Sequence, residues 1–311
     1  MVNLWNPHNF SSIFSILLTA FLLGIIHGIT PDEHTWPITL SYSLGSYSTR
    51  AGFKVGLFFS LAFTLQRAIA SELSFFALSN FLTKPDVEIV VYIFVGIVMS
   101  FAGAYIIGLG KNFEFFAGIE KRIMIWLSRL FMRKDYHIHE EDIEASLSYG
   151  RTVPLYMALI HGFIAGWGTG AFAIIVYTVL APKMPNAYTG FIPGLLFGIG
   201  TMLTQIIIGM SVGRFMEKLS VSQRGIEFIA RRTSGQTLFL GGLAFVLAAV
   251  LEISFPKLKG AGIITPVRIH NLHSLGIGFF LVILIIFVIM AVSFVRSLGY
   301  VKNHPSEFRA K

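Results

Sequence analysis

Seven long runs with few or no charged residues divide the chain. They cover residues 11–46, 51–76, 88–110, 153–180, 190–213, 236–255 and 274–295. A helix needs about 20 mainly apolar residues to cross the hydrocarbon core of a bilayer, and each run reaches that length. The runs lack the alternation of period two that marks a transmembrane β-strand. We therefore expect an all-α integral membrane protein with about seven transmembrane helices.

The first run is too long for one straight crossing. Pro31 and Pro37 interrupt it, and a proline inside a helix removes a hydrogen bond and clashes with the preceding turn. We expect one crossing helix followed by a broken or re-entrant piece.

The composition supports a bilayer as the solvent of this chain. Hydrophobic residues make up 54% of it and charged residues only 13%, whereas a soluble domain carries about 25% charged residues. The sequence contains no cysteine, which excludes disulfides and thiolate metal ligands. It has no phosphate-binding P-loop pattern, and the start of the sequence predicts no removable signal peptide. We expect lipid as the main partner and no nucleic acid.

The loops differ strongly in positive charge. Alternating them across seven spans places 18 of the 24 Lys and Arg residues on one side and five on the other, with Arg67 inside a span. Cytoplasmic loops carry the excess of Lys and Arg. We expect a multi-pass protein of the cell (plasma) membrane, with the N-terminus outside and the C-terminus in the cytoplasm.

The two halves of the chain resemble each other in short segments. Residues 24–28 match 158–162, residues 52–57 match 190–195, and a glutamine follows in each half. An odd number of crossings per copy requires the copies to insert in opposite orientations, and such inverted repeats are typical of secondary transporters. The predicted divisions are a first three-helix repeat (1–110), a charged cytoplasmic connector (111–151), a second three-helix repeat (152–255), and a last transmembrane helix with a cytoplasmic tail (256–311).

Polar residues concentrate at the break in the first run. His27 and His34 would share one face of a continuous helix, with Asp32 between them, and Pro31 leaves the carbonyl of His27 without its helical partner. Imidazole and carboxylate ligands suit divalent first-row metals. The alternative is that Asp32, Glu33 and His34 form a solvated turn that caps a helix.

Further polar residues lie inside other runs, where they are costly and often functional. His161 opens a glycine-rich stretch, and its match to His27 in the other half makes it a fourth candidate metal ligand. A set of candidate coupling or gating residues consists of Glu33, Gln66, Arg67, Glu72 and Gln205. A structural ion pair that includes Arg67 is the alternative to a coupling pair.

Two other histidine groups carry weaker signals. His137 and His139 precede three acidic residues in the connector, where a solvated charged face is the simpler interpretation. His270 and His273 are one helical turn apart at the outward start of the last span, where they either capture a cation or lie at the membrane interface.

The first two spans resemble the nickel/cobalt transporter family, which belongs to a broad superfamily of permeases and exporters built from three-helix repeats. The hallmark of that family is a His in the first helix, an Asp five residues later, and a second His directly after the Asp. His27, Asp32 and His34 follow this order, with Glu33 between the last two, and residues 56–64 keep the frame of the next signature without its His. The resemblance covers about the first 75 residues and implies a metal-cation permease with 27–34 as its selectivity element.

Three functions follow from these residues. The first is a secondary permease or exporter of a divalent transition metal such as nickel or cobalt, bound as substrate by His27, Asp32, His34 and His161, with no cofactor. The second is an exporter of the same fold for a small anion such as a sulfur oxyanion, bound by Arg67 and helix N-termini. The third is a seven-helix zinc-dependent membrane hydrolase. We expect a transporter rather than an enzyme, and the sequence leaves a homo-oligomer and a separate energising subunit open.

Overall fold

The protein is a bundle of apolar α-helices. A computed structural model describes residue 10 and residues 12–30, 34–78, 85–107, 155–168, 171–258, 262–265 and 274–308. The predicted connector, with His137 and His139, lies outside these residues, as do Asp32, Glu33, His270 and His273.

Nine helices form the described part of the bundle. In chain order they are α1 Ile13–Ile29, α2 Trp36–Ser46, α3 Thr49–Leu73, α4 Pro85–Ile107, α5 Leu155–Ala165, α6 Ala171–Ile175, α7 Ile192–Glu217, α8 Gln223–Ser254 and α9 Ile277–Asn303. A π-helical turn, Ser74–Leu78, extends α3. A π-helical turn and a 3₁₀ turn extend α6 through Lys183. A π-helical stretch, Ile283–Met290, lies within α9.

Five of these helices are long and apolar enough to cross a membrane: α3, α4, α7, α8 and α9. They correspond to the second, third, fifth, sixth and seventh predicted spans. The first and fourth runs contain shorter apolar helices, Ile13–Ile29, Leu155–Ala165 and Phe172–Lys183. The structure therefore agrees with an all-helical membrane protein that has five full-length candidate spans.

The two shorter runs are interrupted at different kinds of residue. In the first run α1 ends at Ile29 and α2 begins at Trp36, so the predicted interruption of this run is confirmed between these two residues. Pro37 lies in the first turn of α2, where proline is tolerated because that N–H has no helical partner. In the fourth run, which has no proline at the break, the helix stops at Ala165 within a glycine-rich stretch.

Two of the long helices extend beyond their uncharged runs. The charge criterion placed the sixth span at 236–255, but α8 begins at Gln223 and includes Arg224, Arg231 and Arg232. The last span was predicted to end at 295, but α9 continues to Asn303. Helical hydrogen bonding does not end at the edge of the hydrocarbon core of the bilayer. Absence of charge therefore predicts the segment inside the bilayer rather than the ends of the helix.

The α3–α7 crossing is the most extensive helix pair, and glycine brings its two backbones together. A Cβ on Gly52 would overlap the carbonyl oxygen of Gly209, and a Cβ on Gly194 would overlap that of Arg67. Gly56 lies against the backbone of Gln205. Because later residues of α3 meet earlier residues of α7, the two helices run antiparallel.

Three further helix pairs pack in the same way. Gly24 of α1 lies against Phe197 of α7, and Gly162 of α5 lies against Phe59 of α3. Gly96 of α4 and Gly242 of α8 each approach the other's carbonyl oxygen. The bundle is therefore held by close backbone contacts, as expected where lipid provides little hydrophobic force between helices.

The outer surface of the bundle is apolar. Large side chains with more than half of their surface exposed include Phe14, Ile207, Phe287 and Val295. Exposed apolar side chains on every long helix are compatible with direct contact with a lipid bilayer.

One feature of the described chain departs from the expected all-α structure. Ile263–Ile264 and Ser274–Leu275 form a two-residue antiparallel strand pair just before α9. This pair lies in the connection between α8 and α9 and does not enter the helical bundle.

The glycine contacts predict the cost of a single methyl group. Gly24→Ala and Gly162→Ala should each destabilise the protein by about 1–3 kcal/mol, because the new Cβ meets backbone that cannot rotate away. The measurement is unfolding of the purified protein in detergent, followed by temperature or denaturant.

Gly299→Ala in α9 is the matched control, since a Cβ there has no heavy atom within 4 Å. It should be neutral or slightly stabilising, as alanine favours a helix interior. Equal losses in all three variants would mean that helix-to-helix contact is not the cause.

Candidate functional site

Buried polar residues meet where α1, α3 and α7 pack together. His27, near the end of α1, is 1% exposed, and its ring lies among three phenylalanines. The ring centroids are 5.9 Å from Phe63, 6.2 Å from Phe172 and 5.2 Å from Phe197. The structure thus confirms that this histidine lies inside the bundle, in a largely aromatic environment.

The end of α1 is held by two side-chain donors. The indole Nε1 of Trp36 donates to the carbonyl oxygen of Gly28 at 3.2 Å, and the Nε2 of Gln205 donates to the same oxygen at 3.3 Å. The break after α1 therefore leaves a carbonyl that donors from α2 and α7 stabilise. Because two N–H groups already bind this oxygen, it is poorly suited to bind a cation.

His34 lies on the other side of the break. Its ring is 1% exposed, 5.6 Å from the ring of Tyr92 in α4, and in close contact with Gly168 after α5. A side chain at Gly168 would occupy the space of the imidazole. This histidine therefore joins the break in the first run to the break in the fourth.

His161 in α5 is completely buried and has its own hydrogen-bond partners. Its Nδ1 lies 2.6 Å from the hydroxyl oxygen of Tyr42 and 3.0 Å from the carbonyl oxygen of Met157. Its Nε2 has no hydrogen-bond partner among the described residues. The pair ties α5 to α2.

The described histidines and carboxylates do not form a metal centre by themselves. In the part of the chain that the structure describes, no group of three or more His, Asp or Glu side chains could hold a metal ion. His27, His34 and His161 are among those residues and do not form such a group, whereas Asp32 lies outside them. The set of His27, Asp32, His34 and His161 therefore stays a prediction.

Arg67 is the one charged residue buried at the centre of a described span. It is 1% exposed, and its Nη1 donates to the hydroxyl of Tyr177 at 2.7 Å. Its Cζ lies 4.6 Å from the centroid of Phe63 and 5.5 Å from that of Phe197. Among the described residues, no carboxylate forms an ion pair with this guanidinium.

Gln66 and Glu72, two of the other predicted coupling residues, lie on α3 close to the same crossing. Gln66 is completely buried against Gly166, and neither its amide oxygen nor its amide nitrogen has a hydrogen-bond partner among the described residues. Glu72 lies one and a half turns after Arg67 and beside Gly190. Of the carboxylates that could pair with Arg67, namely those of Asp32, Glu33 and Glu72, only Glu72 is described. It forms no ion pair with Arg67, because five residues along a helix place the two side chains on different faces.

Several residues of the site were not identified from the sequence. Tyr177 and Tyr42 supply the partners of Arg67 and His161, and Phe63 and Phe197 contact both His27 and Arg67. Each aromatic residue lies in an apolar run, where it looks like any other core residue. Only the pairing of distant helices shows which of them meet a polar group.

No family model matches the chain, and no curated protein or solved structure matches it either. The resemblance to the nickel/cobalt transporters therefore stays a prediction that depends on residues of the first two spans.

The contact between Tyr42 and His161 predicts a specific loss of stability. Tyr42→Phe removes one hydroxyl from a buried pair, so it should lower the free energy of unfolding by about 1 kcal/mol or more. The measurement is unfolding of the purified protein in detergent. Tyr188→Phe is the control, because Tyr188 is 89% exposed and should give no change.

Proposed function

We propose that the protein is a multi-pass secondary transporter of a small inorganic ion, built from two inverted three-helix units and one added helix. The observation that carries this proposal is a set of close helix contacts that occur twice, with the roles of the two halves exchanged.

Two glycine contacts form the first pair. Gly24 of α1 meets the carbonyl of Phe197 in α7, and Gly162 of α5 meets the carbonyl of Phe59 in α3. Gly162 and Phe197 lie 138 positions after Gly24 and Phe59. The first helix of each half therefore packs on the second helix of the other half at the corresponding residue.

The same shift of 138 positions relates two further pairs of contacts. Gly56 with Gln205 corresponds to Gly194 with Arg67. Contacts that repeat with exchanged partners are expected of two units related by a two-fold axis, which here would pass through the α3–α7 crossing.

Gly28 with Thr204 corresponds in the same way to Gly166 with Gln66. This register differs by one helical turn from the sequence match of His27 with His161. This register aligns both glycines of Gly24-x-x-x-Gly28 with Gly162 and Gly166, whereas the match of His27 with His161 aligns only Gly28 with Gly162. The contacts favour the register that pairs His27 with Ala165, so the two histidines need not have equivalent roles.

The directions of the helices support inversion of the second unit. Successive residues of α1 meet successive residues of α7, so these helices run in the same direction, and α5 and α3 do likewise. Because α3 and α7 are antiparallel, α1 and α5 run in opposite directions. Both are followed by a break, before α2 and before α6. Broken helices at corresponding positions of inverted repeats are typical of secondary transporters.

The described residues favour an anion over a divalent cation as the transported ion. The His27 imidazole and the Arg67 guanidinium both lie against Phe63, so the two groups are within about 11 Å of each other. A divalent cation near His27 would be repelled by roughly 3 kcal/mol at an effective dielectric constant of about 20. Nickel and cobalt, the ions that the family resemblance implies, remain the second candidate because Asp32 and Glu33 are not described.

Cysteine labelling tests the inverted architecture, and the chain has no native cysteine to interfere. Arg50, in the first turn of α3, and Tyr188, just before α7, occupy corresponding positions in the 138-residue register and are both exposed. In sealed membranes, a membrane-impermeant thiol reagent should label Arg50→Cys from the cytoplasmic side and Tyr188→Cys from the opposite side.

Lys218→Cys is the control, because it lies at the same end of the helical bundle as Arg50→Cys. Glu217 at the end of α7 accepts hydrogen bonds from the backbone N–H and side-chain hydroxyl of Thr49, at 2.8 Å and 2.7 Å. Cysteines at 50 and 218 should therefore be labelled from one side. Labelling of positions 50 and 188 from the same side would rule out the inverted repeat.

Transport itself is tested with the purified chain in sealed liposomes. We expect passage of at least one ion from a panel of nickel, cobalt, sulfite, sulfate and nitrate, driven by its gradient and without ATP. Protein-free liposomes are the control. Absence of flux for the whole panel, from protein with the expected cysteine labelling, would contradict a transport function for this chain alone.

A further inference from the structure

Arg67 has a charge that its described surroundings do not neutralise. An arginine stays protonated even when it is buried, and this one is 1% exposed in the interior of α3. Its only hydrogen-bond partner among the described residues is the neutral hydroxyl of Tyr177. Such an environment leaves a net positive charge inside the bundle.

Aromatic rings compensate only part of this charge. The guanidinium Cζ lies 4.6 Å from the centroid of Phe63, 5.5 Å from Phe197 and 5.8 Å from Tyr177. The faces of the rings attract a cation, but this attraction is smaller than the cost of removing a charged group from water. Among the described residues, the site therefore has no negative partner.

The polar groups of this site that lack a partner among the described residues are hydrogen-bond donors. The Nε of Arg67 is buried and has no acceptor among the described residues. Tyr177 accepts from Arg67 through its oxygen, so its own hydroxyl proton remains to be donated. A ligand that accepts several hydrogen bonds and carries negative charge would satisfy both groups.

The backbone around Arg67 fixes its position. Gly194 of α7 packs directly on the carbonyl oxygen of Arg67, and the hydroxyl of Ser71, one turn later, donates to the carbonyl of Gly190 at 2.7 Å. The amide of Gly194 donates to the same hydroxyl at 3.1 Å. The guanidinium therefore extends from a rigid crossing of two helices, which suits recognition of a small ligand.

We infer that Arg67 and Tyr177 form a binding site for a small inorganic oxyanion. The planar fork of the guanidinium binds two oxygens at once, and the Tyr177 hydroxyl donates to a third or shares one of the two. This inference names the substrate class of the proposed transporter, and calling the anion a substrate rests on the proposed transport function. Binding of the anion is a separate property and is measured without transport.

The test is titration of the purified full-length chain in detergent with sulfite, sulfate and nitrate, followed by calorimetry and by thermal unfolding. At least one of these anions should bind to the wild type and raise its unfolding temperature. Arg67→Gln should weaken this binding by about 10- to 100-fold, because charge-assisted hydrogen bonds are lost. Arg67→Lys, which keeps the charge and loses the fork, should give an intermediate loss.

Tyr177→Phe covers the case in which Arg67→Gln does not fold. It removes only the hydroxyl, which is both a donor and an acceptor, and leaves a side chain of similar size. It should weaken anion binding by about 3- to 10-fold. The control is Arg296→Gln, since Arg296 is an exposed arginine in α9 whose loss should leave the affinity unchanged.

Two outcomes overturn the inference: no anion binding to folded wild-type protein, or binding that Arg296→Gln weakens as much as Arg67→Gln and Tyr177→Phe do. Anion binding that depends on Arg67, in protein that gives no flux, supports the site and contradicts the proposed transport. Flux of nickel or cobalt without anion binding supports transport and overturns the anion site.

Discussion

The close approach of α3 and α7 is the constraint on which the rest of the bundle depends. In a bilayer, helices gain little from burying apolar side chains against each other, so association depends on close packing and polar contacts. Gly52, Gly56 and Gly194 remove the side chains that would hold these helices apart. The other pairs then follow, because α1 packs on α7 and α5 packs on α3 through glycines of the same kind.

This packing also determines where buried polar side chains are located. Residues on the faces of α3 and α7 that meet at the crossing are shielded from lipid. Gln66 and Arg67 on α3, and Thr204 and Gln205 on α7, are all buried at such positions. A charge buried at this place is not solvated by bulk water, so its neighbours decide whether the fold tolerates it. Among the described residues, the neighbours of Arg67 are aromatic rings and one hydroxyl.

The class of fold and the location of the polar residues could be predicted from the sequence better than the contacts that those polar residues make. Length and lack of charge were enough to find the cores of α3, α4, α7, α8 and α9, since these properties reflect the bilayer directly. The break at Pro31 was predictable because proline has no N–H to donate. The start of α8 at Gln223 was not, because a helix continues past its apolar part.

Partners of the buried polar groups depend on long-range pairing, which a single sequence does not specify. Tyr177 lies 110 positions from Arg67, and Tyr42 lies 119 positions from His161. The repeat register adds a second ambiguity, since the match of residues 24–28 with 158–162 and the match of residues 52–57 with 190–195 differ by about one helical turn. The contacts of Gly24 and Gly162 favour the register of the second match.

The proposed two-fold relation places Arg67 and Gln205 at equivalent positions, and their chemistry differs. Gln205 donates to the carbonyl of Gly28, so the protein itself supplies an acceptor for its amide. Arg67 occupies the corresponding place in the other unit, and the described helices offer it a hydroxyl and aromatic rings. Gln205 is thus explained by a hydrogen bond within the fold. Among the described residues Arg67 has no such compensation, because its burial costs more than contacts with a hydroxyl and aromatic rings return. This difference between equivalent positions is the reason why we propose a ligand of opposite charge at Arg67.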